Sequence, residues 1–156
     1  MAEAGESDAA VPEDVAEILA GLQRLIRRRL RQDLPGPRLR GAQVELLRLV
    51  LARPGIGVSA AARELHLAGN SVSTLVNQLV TAGLLDRRTD AEDRRAVNLT
   101  ITPEAADRLR DWDARRNELV FQQVAGLTAP DRAALAGAVP VLRRLAEGLH
   151  EELEGP

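Results

Sequence analysis

The chain has 156 residues with a formal net charge of −2; 45% of its residues are hydrophobic, only 1% are aromatic, and none is cysteine. This length and apolar content fit one folded domain with an aliphatic core and argue against a disordered chain. The lack of cysteine excludes disulfides and cysteine-ligated zinc, and no long apolar run or basic, apolar leader is present, so we expect a cytosolic protein without membrane spans.

Charge is distributed unevenly along the chain. The first 17 residues hold six acidic and no basic side chains, whereas residues 21–58 hold nine arginines against two acidic residues. All 21 basic residues are arginine, which codon bias in a GC-rich genome explains more simply than selection for arginine chemistry. The small net charge therefore hides a strongly basic segment.

The N-terminal residues predict an acidic tail followed by a long helix. Residues 1–11 have the composition of a disordered tail, and Pro12, followed by two acidic residues, is typical of the first turn of a helix. Apolar residues then recur at steps of three and four beside an arginine-dense face. Two prolines and a glycine in residues 33–40 end this helix.

Residues 40–83 predict three short helices, the last two joined by a tight turn. The first spans residues 40–52, and Ser59 stands where it could cap the second. The third begins near Gly69 and stops at Gly83, a suitable C-terminal glycine. Two short helices around a tight turn are typical of a helix-turn-helix.

A β-hairpin and two long helices complete the predicted fold. Apolar and polar residues alternate over residues 97–101, after a charged turn. Thr102 and Pro103 supply a cap and a first-turn proline for the next helix, and Thr128 begins the last one. Pro140 lies inside the apolar pattern of that last helix, where we expect a kink or a break. The fold class is mainly α with a small β-wing.

The third short helix carries no charged side chain. At about 100° per residue, residues 70–81 place valine and leucine on one arc and polar residues on the other. Residues 65–85 contain no Asp, Glu, Lys or Arg, which chance would give in about one window in a thousand. A neutral polar face suits either a protein surface or base edges in the major groove of DNA. The candidate base-reading residues are Asn70, Ser71, Ser73, Thr74, Asn77 and Gln78.

The hairpin supplies the positive charge that this helix lacks. Its strands are flanked by Arg87, Arg88, Arg94 and Arg95, and Asp93 could brace one of these guanidinium groups. Arginine suits a narrow minor groove, where the negative potential is enhanced. Taken alone, the cluster fits a solvated turn equally well, but the preceding helix-turn-helix favours DNA.

Residues 40–105 resemble the winged helix-turn-helix of the multiple antibiotic resistance regulator (MarR) family. The likeness is carried by NSVSTLVNQLVTAGLLDRR for the recognition helix and its exit, and by DAEDRRAVNLTITPEA for the wing. The family's wing pattern of aspartate, any residue and arginine falls on Asp93 and Arg95, followed by the Leu-Thr pair of Leu99 and Thr100.

The sequence departs from the family at two places. Thr74 stands where the family often has arginine, which puts guanine recognition by this helix in doubt. Ala68 and Gly69 replace the usual serine or threonine cap and proline, so Asn70 could itself be the cap and would then read no base.

The resemblance implies a homodimeric, DNA-binding bacterial transcriptional regulator that is not an enzyme. Terminal helices of two subunits would interlock, and two winged domains would bind successive major grooves of a pseudopalindromic operator in double-stranded DNA. A dimeric repressor of a neighbouring gene is the main expectation, with relief by a small-molecule effector left open. The predicted segments, within one compact folding unit, are the tail (1–11), the N-terminal dimerisation helix and linker (12–38), the winged helix-turn-helix (39–102) and the C-terminal dimerisation helices (103–156).

One alternative stays open, a winged-helix interaction module that has lost DNA binding and docks a protein with its neutral helix. No nucleophile motif or phosphate-binding loop supports an enzyme, and we expect no cofactor. His66 and His150 show no spacing typical of a metal site. Arginines within residues 24–31 could bind an anion, but a solvated or DNA-flanking face explains them better, so we assign no ligand residues.

Overall fold

Six helices and three short strands make up the described part of the chain, which in this computed structural model comprises residues 3–30, 39–89 and 97–154. The elements are α1 (Glu3–Leu30), α2 (Gly41–Ala52), β1 (Ile56–Gly57), α3 (Val58–Glu64), α4 (Gly69–Thr81), β2 (Leu85–Thr89), β3 (Val97–Ile101), α5 (Pro103–Ala125) and α6 (Ala129–Glu154). This order confirms the predicted fold, mainly α with a small β-wing. None of these helices combines the length and hydropathy needed to cross a membrane.

The strands form one antiparallel sheet in the order β1-β3-β2. The predicted hairpin is present, with Leu85 of β2 opposite Ile101 of β3. The short β1 pairs Ile56 with Leu99, so β3 is bonded on both sides. The sheet thereby ties the segment before the helix-turn-helix to the hairpin that follows it.

An aliphatic core fixes the orientation of α4. The largest fully buried side chains belong to α2, α4, the two hairpin strands and the residue before β2, and they are Leu46, Leu47, Val50, Val72, Val76, Leu79, Leu84, Leu85 and Leu99. Three of them lie on one arc of α4, as its periodicity predicts. Burial of a valine or leucine side chain stabilises the fold by about 1.5–3 kcal/mol, so this arc stays inside. The polar arc of α4 must therefore face outward.

The end of α4 is set by Gly83, whose φ of 70° lies in the left-handed region that glycine adopts without strain. The Gly83 N–H donates to the Val80 carbonyl over 3.0 Å, and the Leu84 N–H donates to the Leu79 carbonyl over 2.9 Å. These two bonds form the helix-ending motif expected for a C-terminal glycine. They turn the chain directly from α4 into β2.

Thr102 links this turn to the start of α5. Its hydroxyl donates to the Gly83 carbonyl over 2.9 Å and accepts from the Ala105 N–H over 3.3 Å. Thr102 is thus the N-cap of α5, as predicted, and it also holds the exit of α4 in place.

Replacing Thr102 with alanine should lower the free energy of unfolding by about 1–2 kcal/mol, because a cap and a second hydrogen bond are both lost. Urea denaturation of the whole chain, followed by circular dichroism, measures this change. The Thr102→Ser variant keeps the hydroxyl and should retain most of the stability. An equal loss in both variants would contradict a role for the hydroxyl.

Three helix boundaries differ from the sequence prediction. The predicted disordered tail of residues 1–11 is wrong from Glu3 onward, where α1 begins and then continues through Pro12. Alanine has high helix propensity and acidic residues favour the first turns of a helix, so α1 continues despite the hydrogen bond that Pro12 removes and the crowding by its ring. The expected break at Pro140 is also absent, since α6 runs through it. Ser59 lies inside α3 and the N-cap is Gly57, because the helix starts as soon as pairing of β1 with β3 ends.

Helix α5 connects the winged helix-turn-helix to α6. At its start Ala105, Ala106 and Leu109 are buried. Further along, Asp113 lies 2.6 Å from the guanidinium of Arg48 on α2 and 3.2 Å from that of Arg116. These groups are about one-third or more exposed, so the ion pairs orient α2 against α5 more than they stabilise the fold.

The terminal helices expose a long series of apolar side chains. Every described side chain of α6 except Ala138 is exposed. The exposed large apolar residues of α1, α5, α6 and the α5–α6 turn are Val11, Ile18, Leu19, Leu22, Leu25, Val120, Phe121, Leu127, Leu135, Val139, Val141, Leu142, Leu145 and Leu149. We call this set the terminal apolar surface. A monomeric soluble protein rarely exposes so extensive an apolar surface.

Candidate nucleic-acid interface

All six polar residues predicted on α4 lie on its exposed arc. Asn70, Ser71, Ser73, Thr74, Asn77 and Gln78 are each exposed. The buried arc on the opposite side anchors the helix, so these side chains project together from one rigid element. The face that they form is polar and uncharged.

The first turn of α4 shows which backbone group the Asn70 side chain bonds. The N-cap position is Ala68, which has no side-chain cap, so Asn70 is not the cap. Its Oδ1 instead accepts from the Ser71 N–H over 2.8 Å. This bond satisfies one of the backbone donors that a helix N-terminus leaves without a partner. Asn70 thus serves the backbone locally, although its side chain is exposed.

The hydroxyl groups of Ser73 and Thr74 turn their protons back toward the helix. Ser73 donates to the Gly69 carbonyl and Thr74 to the Asn70 carbonyl, each over 2.9 Å. A hydroxyl that donates in this way keeps its lone pairs for a second partner. In this conformation both groups act outward as hydrogen-bond acceptors.

Gln43 on α2 holds Gln78 from one side of α4. The Gln43 Nε2 donates to the Gln78 Oε1 over 3.0 Å, and the Gln43 Oε1 accepts from the Arg40 N–H over 2.8 Å. Gln43 is not among the residues predicted from the sequence. A glutamine three residues after the N-cap is typical of a capping box and could have indicated the bond to Arg40. Nothing in the local sequence indicates the bond to Gln78, which lies 35 residues away.

Arg87 on β2 holds Asn77 from the other side. Its Nη1 donates to the Asn77 Oδ1 over 2.8 Å. The sequence predicts Arg87 as a wing residue, and the structure places its guanidinium against α4. Arg88, the next residue on the strand, is also exposed and leaves the opposite face of the sheet, because successive side chains of a strand alternate.

The other predicted wing residues, Asp93, Arg94 and Arg95, lie outside the described residues. For metal binding, the described ranges contain no group of three or more histidine, cysteine, aspartate or glutamate side chains that could hold an ion. Among the described residues, the side chains bonded to the exposed arc of α4 are the neutral amide of Gln43 on one side and the guanidinium of Arg87 on the other.

The MarR family model matches residues 38–96. This segment is similar to MarR-family domains. It contains α2, α3, α4 and β2, together with every DNA-contact residue that the sequence predicts, from Asn70 to Arg95. The family resemblance inferred from the recognition helix and the wing is confirmed.

Solved structures with this fold extend the likeness over most of the chain. A variant of S. aureus MepR has 21% identity and a TM-score of 0.70, covering 86% of this chain and 97% of its own. Streptococcus pneumoniae FabT in complex with DNA has 20% identity and a TM-score of 0.67, covering 88% and 98%. PcaV from Streptomyces coelicolor, in complex with its natural ligand, has 25% identity and a TM-score of 0.57, covering 89% and 94%. None of the curated proteins matches the chain in sequence.

Proposed function

We propose that the chain is a dimeric, sequence-specific DNA-binding transcriptional regulator that places α4 in the major groove. The observation that carries the proposal is the uncharged polar arc of α4 in a MarR-family domain, with Gln43 bonded to one of its amides and Arg87 to another. Amides and hydroxyls match the donors and acceptors on base edges, while a carboxylate would be repelled by phosphates. FabT, which has this fold, is bound to DNA in its structure.

Affinity and specificity would come from different elements. Arg88 and the sequence-predicted wing residues Arg94 and Arg95 would contribute phosphate or minor-groove contacts, which attract DNA of any sequence. Exposed polar residues of α4 would distinguish base pairs. The low net charge of the chain is compatible with this arrangement because much of the negative charge, six acidic residues, lies in the first 17 residues, outside α4 and the wing.

A second copy of the chain is the proposed partner of the terminal apolar surface. Helix α6 exposes nearly all its side chains in a single subunit, and α1 exposes Ile18, Leu22 and Leu25. Pairing these helices across a twofold axis would remove that surface from water. It would also present two α4 helices to half-sites one turn of DNA apart, about 34–36 Å.

We propose that the protein is cytoplasmic and that it represses a neighbouring gene. A dimer bound across a promoter would block access to it. PcaV, of the same fold, is bound to its natural ligand, which supports including release by a small-molecule effector in the proposal. We assign no residues of this chain to such a ligand.

DNA binding is tested with the full chain and duplexes from the region upstream of its own gene. Several arginine–phosphate contacts in each dimer should give a log–log slope of affinity against salt of about −4 or steeper. An unrelated duplex should compete only weakly at the same salt concentration. Absence of binding, or an affinity that is insensitive to salt, would instead favour the protein-interaction module with a neutral docking helix.

A further inference from the structure

The hydrogen bonds around Gln78 determine which end of its amide faces outward. The Arg40 N–H can only donate, so the atom of Gln43 that meets it must be the oxygen. The other end of the Gln43 amide is then a donor, and the atom of Gln78 that meets it must be Oε1. Gln78 therefore has its Nε2, with two N–H donors, left to face a ligand.

The same reasoning fixes Asn77 from the opposite side. A guanidinium has five donors and no acceptor, so the Asn77 atom bonded to Arg87 must be Oδ1. The Nδ2 group of Asn77 is thereby turned away from Arg87. Neighbouring residues of α4 thus have their amide oxygens bound by the protein and their amide nitrogens left for a ligand.

We propose that Gln43 and Arg87 are positioning residues that preset the centre of α4 as a hydrogen-bond donor face. This inference rests on the proposed DNA-binding function and specifies the base edges that would be read. Two N–H donors fit guanine, whose O6 and N7 both accept in the major groove, and a single donor fits the O4 of thymine. The donor face disfavours the N4 amino group of cytosine and the N6 amino group of adenine.

The bound amide oxygens also disfavour bidentate recognition of adenine by Asn77 and Gln78. Bidentate recognition of adenine needs both ends of an asparagine or glutamine amide at the base, but here Gln43 and Arg87 already bind the oxygens. Arg87 brings to the exposed arc of α4 a guanidinium that the helix itself lacks. It contacts Asn77, which lies about one turn of α4 from Thr74. Its remaining donors are available to guanine or to a phosphate.

The decisive test is the Gln43→Glu variant in a selection of bound duplexes from a randomised library. A glutamate at this position still accepts from Arg40 but cannot donate, so Gln78 must turn its nitrogen inward and its oxygen outward. The preference at one base pair in each half-site should then change from guanine or thymine to cytosine or adenine, by about tenfold or more. The added charge lowers the affinity for all sequences alike and does not alter their ratio.

The Gln43→Met variant is the uncharged control. It releases Gln78 without reversing it, so the preference at the same base pair should broaden and should not invert. An unchanged preference in both variants would overturn the role of Gln43. Circular dichroism should match that of the unaltered protein because Gln43 is outside the buried core, while the urea midpoint of Gln43→Met should fall slightly because the capping bond to the Arg40 N–H is lost.

Arg87 is tested against Arg88, its neighbour on the same strand. Arg87→Met should broaden the preference at the base pair next to the one that Gln78 reads, whereas Arg88→Met should lower the affinity equally for all sequences and reduce the salt slope. Identical, sequence-independent losses in both variants would overturn the role of Arg87. If the unaltered protein binds no duplex, the proposed function fails and the inference with it; if it binds selectively and all variants keep its preference, the inference alone fails.

Discussion

Replacing Leu22 and Leu145 together with glutamate should convert the protein into monomers and weaken operator binding about a hundredfold or more. The two leucines belong to α1 and α6, and they are 51% and 44% exposed in the single chain. Because they are exposed there, their replacement should cost an isolated subunit little. Between two copies, the same change would bury four charges without partners, which is strongly unfavourable. The dimer would separate, and each monomer would bind only one half-site.

Sedimentation equilibrium over a range of concentrations measures the first effect, and titration of the operator duplex measures the second. Leu51→Glu is the matched control, since Leu51 is 41% exposed but lies on α2, outside the terminal helices. This variant should remain dimeric. An unaltered protein that is monomeric at micromolar concentration, or a double variant that stays dimeric, would refute pairing through the terminal apolar surface.

Features that depend on neighbouring residues in the chain could be predicted from the sequence. The apolar period of α4 places Val72, Val76 and Leu79 on its buried arc. The local chemistry of glycine and threonine marks the end of α4 at Gly83 and the cap of α5 at Thr102. Each of these predictions rests on hydrogen bonds or spacing within a few residues.

Contacts between distant residues could not be predicted in the same way. The Gln43–Gln78 and Arg87–Asn77 bonds join residues 35 and 10 positions apart, and they form only because α2, α4 and β2 share one core. A single sequence shows that these side chains are polar but not which of them meet. The donor character of α4, and with it the expected base preference, therefore depends on tertiary packing.

The error at the N-terminus has a different origin. Pro12 with two acidic neighbours is a frequent helix start, but proline is also tolerated inside a helix when its lost bond is offset by neighbouring helix formers. Composition alone could not decide between these two uses of the residue. The boundary predicted at Pro12 is therefore absent from the structure, whereas the predicted end of α4 at Gly83 is present.

Leu79 and Gln78 are neighbours in α4, and their replacement by alanine should affect different properties: stability for Leu79 and base preference for Gln78. Leu79 is fully buried, so its truncation leaves a cavity beneath the helix and should lower the free energy of unfolding by about 2–5 kcal/mol. That is a large part of the total stability of about 5–15 kcal/mol that a domain usually has. Gln78 is exposed, and its truncation should change the stability by no more than about 0.5 kcal/mol.

When base preference is measured, Gln78→Ala should have the larger effect and Leu79→Ala the smaller one. Gln78→Ala should reduce discrimination at one base pair in each half-site by about tenfold, while the folded fraction of Leu79→Ala should select the same sequences as the unaltered protein. Urea denaturation and selection from a randomised duplex library give the two quantities for each variant. A Gln78→Ala variant that loses affinity equally for every duplex would assign Gln78 to phosphate contacts. A variant that binds DNA unchanged but no longer docks a protein would assign the neutral face of α4 to the interaction module.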